Sequence, residues 1–359
     1  MRKDITVEFW RVTVASKVIM CGRTACTLAP DEVCRSCSVR TVGKDGTKKY
    51  EAPQWRDHPG DHKYRPSYNV APTRFTPVMI SEHHMKGVKR EAEKEEGEGE
   101  ELPSQLIIQP MMWGLIPNFY KASSPTGHGY STNNCRLEDL EEKKMFKPSL
   151  VRGQRCVVLC DGFYEWQAIK GSKTKQPYFI YAASQSEGIK IWDRSSWDTE
   201  GVWSEEEGWK GPQLLKMAGL FSRWTSSEGE EVMSYSVVTK AAEGKFSDLH
   251  HRVPAILNTD QEVQDWLNYG KVEYKEALNL LAKVKAEVTW HPVSTQVNNS
   301  RNQEMDMNHP VDPKKEAPPS GSSLFMANWL KKGSGKVKND DDVKVKEENK
   351  VKKEEDDEK

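Results

Sequence analysis

Short apolar runs bounded by turn signals recur through the middle of the chain, and helices do not fall regularly between them. Cys156-Val157-Val158-Leu159 is followed at once by the turn pair Asp161-Gly162. Pro177–Tyr181, Leu215–Phe221, Ser234–Thr239 and Val288–Val293 read as further strands, rich in β-branched and aromatic residues. Few segments read as helix. Thr259-Asp260-Gln261-Glu262 is a capping box that predicts a helix start at Thr259, with Gly270 as its stop. Leu137–Phe146 and Val272–Val284 are the other helix candidates. Strands that do not alternate with helices exclude a doubly wound parallel sheet. The expected class is mixed α+β, with a mainly antiparallel sheet core, a few helices and a disordered C-terminal tail.

The chain has 359 residues, 36% of them hydrophobic, with a mean hydropathy of −0.78. So polar a composition predicts a folded core accompanied by unfolded segments. Lys89–Glu101 reads as a solvated acidic loop, and Lys331–Lys359 as a disordered charged tail. We therefore divide the chain into an extension at 1–19, a single domain at 20–308 and a tail at 309–359. The extension reads either as a stray strand or as residues absent from the working protein, with Met20 as the true start; we favour the second. Residues 1–19 make a poor secretory signal, because Glu8, Arg11 and Lys17 interrupt the apolar positions. No run of about 18 apolar residues is present, so no membrane helix is expected. The net charge of −1 says nothing of nucleic acid, and an anionic partner needs a local basic patch. Seven cysteines spread over this length are no disulfide framework and fit a reducing compartment.

Met20-Cys21-Gly22-Arg23 carries the sharpest chemical signal. A cysteine at a chain start holds an α-amine and a thiol on adjacent carbons. The amine, with a reference pKa near 8, is far more often neutral at pH 7 than a lysine. Such a pair suits capture of an aldehyde: the amine forms an imine and the thiol closes a thiazolidine. The residues before Cys21 must first be absent.

Asp161-Gly162-Phe163-Tyr164-Glu165-Trp166 places Glu165 among aromatics, which can raise a carboxylate's pKa for acid–base work. The bland alternative is a surface acid on an amphipathic strand. Leu249-His250-His251-Arg252 sets a proton carrier beside a phosphate-binding cation, or is simply an exposed turn or a satisfied core histidine. Asn133-Asn134-Cys135-Arg136, with Trp113, Phe119 and Tyr130 nearby in sequence, offers an amide, a cation and rings for stacking bases; rings at such spacing are as readily core. Tyr68-Asn69 and Val297-Asn298-Asn299-Ser300-Arg301 read as polar clusters that brace turns. Cys34-x-x-Cys37 has zinc-ligand spacing, but a second such pair is missing, and Cys156 and Cys160 do not supply it. No metal or cofactor is assigned.

These pieces together resemble the SRAP (SOS response-associated peptidase) family. Met-Cys-Gly-Arg, Pro-Ser-Tyr-Asn, Trp-Gly-Leu-x-Pro, Asn-Cys-Arg, Asp-Gly-Phe-Tyr-Glu-Trp, His-x-Arg-x-Pro and Val-Asn-Asn-Ser-Arg occur in that family's order between Met20 and about Asn302. The resemblance implies a protein that crosslinks itself to abasic sites in single-stranded DNA, with lyase-like and self-processing peptidase chemistry. Cys21 is then the nucleophile, Asn134 orients it, Glu165 moves protons, and His250 opens the sugar. Arg23, Arg136 and Arg252 contact phosphates, and Trp113, Phe119 and Tyr130 contact bases. Phe119 stands where a larger indole is expected, and Val253 where Met is usual. A non-covalent reader of modified cytosine, or a cysteine peptidase acting on its own N-terminus, are the other readings. The resemblance further implies a monomer in the nucleus with no membrane partner. Met326-x-x-Trp329-Leu330, within the apolar segment Ser323–Leu330, is similar to a sliding-clamp (PCNA) docking motif. The expected site is a narrow basic cleft holding Cys21, Asn134, Glu165 and His250.

Overall fold

The computed structural model describes residues 22–43, 45–59, 62–86, 105–169, 171–172 and 174–315. The extension at 1–19, Cys21, the acidic segment 89–101, the apolar segment 323–330 and the tail 331–359 lie outside the described residues. Among the described residues strands dominate, with five α-helices and several 3-10 turns, so the protein is mixed α+β. No helix among them is long and apolar enough to cross a membrane.

Five strands close a small barrel. Phe75–Ser81 pairs antiparallel with Leu106–Trp113 and with Arg155–Cys160; Arg155–Cys160 pairs with Leu215–Thr225, which pairs with Glu231–Ala241. A parallel contact, Ser234 opposite Met112 and Tyr235 opposite Trp113, joins the last strand to the second and closes the ring. Alternation along these strands sorts their side chains into two cores. Val78, Ile80, Val158 and Met217 belong to one. Met79, Val157, Leu159 and Ala218 belong to the other, with Leu150, Trp266 and Leu281 from the helices. This is the period-two pattern of a sheet buried on both faces.

A second, five-stranded antiparallel sheet has the order Val288–Pro292, Lys175–Ala182, Gly162–Ala168, Thr24–Cys26, Ser67–Val70. The chain passes from the barrel strand Arg155–Cys160 straight into Gly162–Ala168, so Asp161-Gly162 is the joint between the sheets. The joint needs glycine: a Cβ on Gly162 would lie 2.3 Å from the Ile180 carbonyl oxygen and 2.5 Å from the Phe179 ring. Gly162→Ala should therefore cost more than the 1–3 kcal/mol usual for overpacking, roughly 3 kcal/mol or above. Urea denaturation measures this directly.

The helix Asp260–Leu267 starts at the capping box as expected: Thr259 Oγ1 accepts the Glu262 N–H at 3.1 Å, and Glu262 accepts the Thr259 N–H at 3.2 Å. It ends at Leu267, short of Gly270. Val272–Val284 contains the helix Tyr274–Lys283. Leu137–Phe146 is no helix; a 3-10 turn covers Leu137–Asp139 and the next α-helix is Lys147–Val151. Leu140 and Phe146 are buried, but Glu141 to Lys144 between them are all exposed. No continuous apolar stripe is left to hold a helix there.

Candidate active site at the joint of the two sheets

The N-terminal motif enters as the strand Thr24–Cys26, antiparallel to Gly162–Ala168 with Thr24 opposite Phe163. The Tyr164 N–H donates to the Arg23 carbonyl at 2.9 Å, extending the ladder by one residue. One further step of this register sets Gly22 opposite Glu165. Glu165 is 3% exposed, which discards the surface-acid reading. Tyr164, also buried, fixes the strand by donating its hydroxyl to the Tyr68 carbonyl at 2.8 Å.

His250 faces Glu165, with Nε2 3.9 Å from Oε2. It lies at the end of the 3-10 turn Gly244–Asp248, where its N–H donates to the Phe246 carbonyl at 3.0 Å. The far ring nitrogen, Nδ1, lies 3.2 Å from both the backbone nitrogen and the backbone oxygen of Arg252. A neutral ring accepts the Arg252 N–H through Nδ1 and turns an Nε2 proton toward Glu165. A protonated ring donates to the Arg252 carbonyl instead. His250 thus keeps a partner in either state, which is what a proton carrier needs. Its neighbour His251 is exposed, and partial desolvation, followed by the neighbouring His250 ring and the Arg252 and Arg136 guanidinium groups, lowers its pKa.

Asn134 is half-buried on the short strand Asn134–Arg136, which runs parallel to Glu231–Ala241 with Asn134 opposite Val237. The opposite edge of that same strand pairs with Arg252–Pro254. One strand therefore holds the Asn134 motif on one side and the His-x-Arg-x-Pro motif on the other. The Thr239 hydroxyl donates to the Cys135 carbonyl at 3.1 Å, and Arg252 donates to the Thr239 carbonyl at 2.7 Å, which ties the two together. Cys135 itself is core.

The predicted DNA-contact residues separate into two groups. Phe119 and Tyr130 are about half exposed and meet edge to face with centroids 6.2 Å apart. Arg136 is exposed, and its side chain makes no hydrogen bond or ion pair among the described residues. These fit an outward-facing surface. Trp113 does not: it is 1% exposed, lies parallel to Tyr235, and donates its Nε1 proton to the Asn133 carbonyl at 2.9 Å. Its indole is part of the core and positions the residue before Asn134.

Arg252 is buried and held by Glu138 through two hydrogen bonds of 2.7 and 2.8 Å, a fork that pulls the Glu138 pKa down. Arg23 donates to Asn69 Oδ1 at 2.7 Å and to the Val297 carbonyl at 2.8 Å. Both cations are committed inside the fold, so their first role is to brace the site.

Asn69 and the 297–302 loop are the residues whose part the sequence understated. Asn69 is 2% exposed, and its amide donates to the carbonyls of Asn299 and Asn302 at 3.0 and 2.9 Å while its oxygen takes Arg23. Trp166 Nε1 donates to Asn298 Oδ1 at 2.6 Å. Three motifs far apart in sequence thus form one latch over Arg23. Asn69→Ala should cost about 3 kcal/mol, since it takes one of two partners from a guanidinium and strands two carbonyls. The denaturation midpoint reads this, and a loss under about 1 kcal/mol would mean that the latch is ornamental.

Asp161, at the joint, is 2% exposed and accepts the Thr27 N–H at 2.9 Å. Burial outweighs that bond and pushes its pKa up to about 7. The folded state therefore favours the protonated acid. That stability is complete below the unfolded pKa near 3.9 and is lost as pH rises toward 7. Asp161→Asn should flatten the fall in stability between about pH 4 and 7, seen in denaturation midpoints across that range. Cys34 and Cys37 are buried among apolar side chains, and no group of three or more potential metal ligands exists among the described residues.

With this geometry the chain can be set beside known proteins. The family model described as SOS response associated peptidase (SRAP) matches residues 20–300. The chain is 42% identical over 313 residues to the abasic site processing protein HMCES of Rattus norvegicus, covering 87% of this chain and 82% of the rat protein. It is 41% identical to HMCES of Xenopus tropicalis, over 88% of this chain and 87% of that one. Identity to the abasic site processing protein YoqW of Bacillus subtilis is 28%, over 67% of this chain and 84% of YoqW. A crystal structure of a protein from Bordetella bronchiseptica shares the fold, with a TM-score of 0.50 at 16% identity, covering 76% of this chain and 100% of that one. The chain belongs to the SRAP (SOS response associated peptidase) family.

Proposed function

We propose that this protein captures abasic sites in single-stranded DNA as a covalent thiazolidine at Cys21, once the residues before Cys21 are gone. The observation that carries the reading is the buried Glu165–His250 pair, 3.9 Å apart, set by strand register beside the residue that follows Cys21. The names of the relatives, abasic site processing proteins, supply the substrate class.

The ring-opened sugar presents an aldehyde. The Cys21 amine adds to its carbon, and the carbinolamine loses water to give an imine. The thiol then adds to the imine carbon, and its proton passes to nitrogen, closing the five-membered ring. Glu165 takes the proton from the attacking amine and returns one to the departing hydroxyl. His250 shares that proton with Glu165 and protonates the sugar oxygen as the ring opens. Asn134 orients the thiol and the opened sugar. Hydrolysis of the Met20–Cys21 peptide bond, with the same acid as base, exposes the amine; this is the self-processing step. Phe119 and Tyr130 stack against bases and Arg136 meets phosphate. We further propose that the segment 323–330 docks on the sliding clamp and that the protein acts in the nucleus at replicating DNA.

The test compares two strands identical but for one sugar, an abasic aldehyde in one and its reduced alcohol in the other. A heat-resistant complex on a denaturing gel with the aldehyde strand alone supports the proposal. A complex with neither strand, or with both equally, ends it.

A further inference from the structure

A groove opens beside the segment that carries His250, lined by Glu243 to Phe246 and by Val253. Its volume is about 430 Å³, within the range of small-ligand sites. Phe246, Val253, Val288 and Trp290 form an apolar wall, with the Phe246 and Trp290 rings edge to face at 5.5 Å. Trp290 is only partly buried, so part of its indole stays open.

Lys245 and Lys285 stand on the rim, both exposed and in no ion pair among the described residues. A third lysine on the lining, Lys240, is spent on the carbonyls of Ala282 and Val284 at 2.8 Å each, at the end of the helix Tyr274–Lys283. Glu243 is the acid on the lining, so the rim is net basic. The partly open face of the Trp290 indole, beside uncommitted cations, suits a base bearing a phosphate.

The groove shares two of its lining residues with the segment that positions the active site. Phe246 lines it, while its carbonyl holds the His250 N–H and its ring packs 6.2 Å from Phe163, two residues before Glu165. Val253 lines it directly after Arg252.

We propose that this groove is a nucleotide subsite: it receives one nucleotide of the DNA strand flanking the abasic site, the base against Trp290 and the phosphates on Lys245 and Lys285. The subsite rests on the capture reading above and adds to it a footprint that a lone abasic sugar lacks. Capture should then depend on flanking length.

The test measures crosslinking by the full chain against DNA concentration. It uses strands trimmed stepwise on each side of the abasic site, with wild type, Lys245→Glu/Lys285→Glu and Trp290→Ala. Trimming one flank, or the double charge reversal, should raise the half-saturating DNA concentration roughly tenfold while the rate at saturation holds. The salt dependence of binding should also shallow in the charge-reversed protein. Half-saturation that stays put for the correctly folded lysine variant would overturn the subsite, even if Trp290→Ala fails to fold. If wild type forms no crosslink, the capture reading fails by itself; binding of undamaged single-stranded DNA by the same variants then judges the groove. Added deoxynucleoside monophosphate should compete with the strand. Binding of that nucleotide without competition would make the groove a site for free nucleotide and refute the strand subsite.

Discussion

Cys21→Ser should leave no DNA adduct that survives heating. The serine protein still offers an α-amine, so it still forms an imine with the opened sugar. The hydroxyl is a far weaker nucleophile toward the imine carbon than the thiol, and water hydrolyses the imine back. Borohydride, which reduces the imine to a stable amine, should rescue the crosslink in the serine variant. This separates the two nucleophiles of one residue. A serine variant that forms a heat-stable adduct without reductant would show that sulfur is not the ring-closing atom.

Glu165→Gln should slow adduct formation by roughly 10²–10⁴-fold, the span that a positioned general acid–base contributes. Glutamine keeps the volume and polarity of the buried position, so the strand Gly162–Ala168 should hold. It removes the only acid that faces His250 Nε2 in an ion pair among the described residues. The same variant should retain residues before Cys21 when self-processing is the route to the free amine. A chain supplied with Cys21 already at its start separates the two steps: it should regain the free terminus and remain slow in capture. The pH–rate profile is the second readout, and the variant should lose a limb that wild type shows. Wild-type rates from Glu165→Gln would remove Glu165 from the mechanism.

The readable part of the sequence was the local part. Thr259 and Glu262 cap their helix through bonds spanning three residues, and any such box announces itself. The strand Arg155–Cys160 was marked by its continuous apolar run, buried at every position. The turn signal Asp161-Gly162 was a true break, but the chain there changes sheet rather than reversing. The latch over Arg23 was hidden, because Asn69 and Val297 reach it across 46 and 274 residues and their own neighbourhoods look like ordinary polar turns. Trp113 was misplaced for a related reason. An indole near arginines has the same composition whether it serves as a stacking platform or a core plug, and only its burial and its bond to Asn133 decide. Arg252 likewise carries a phosphate-binding signature in sequence, yet Glu138 holds it, itself 114 residues away. Seven ordered motifs identified the family, but not which of their residues face substrate and which brace those that do.

The most direct measurement is the intact mass of the purified protein before and after incubation with single-stranded DNA bearing one abasic site. The account predicts a chain that begins at Cys21 and, after incubation under denaturing conditions, a second species heavier by the DNA less one water. A chain that keeps the residues before Cys21 and gains no mass would contradict it.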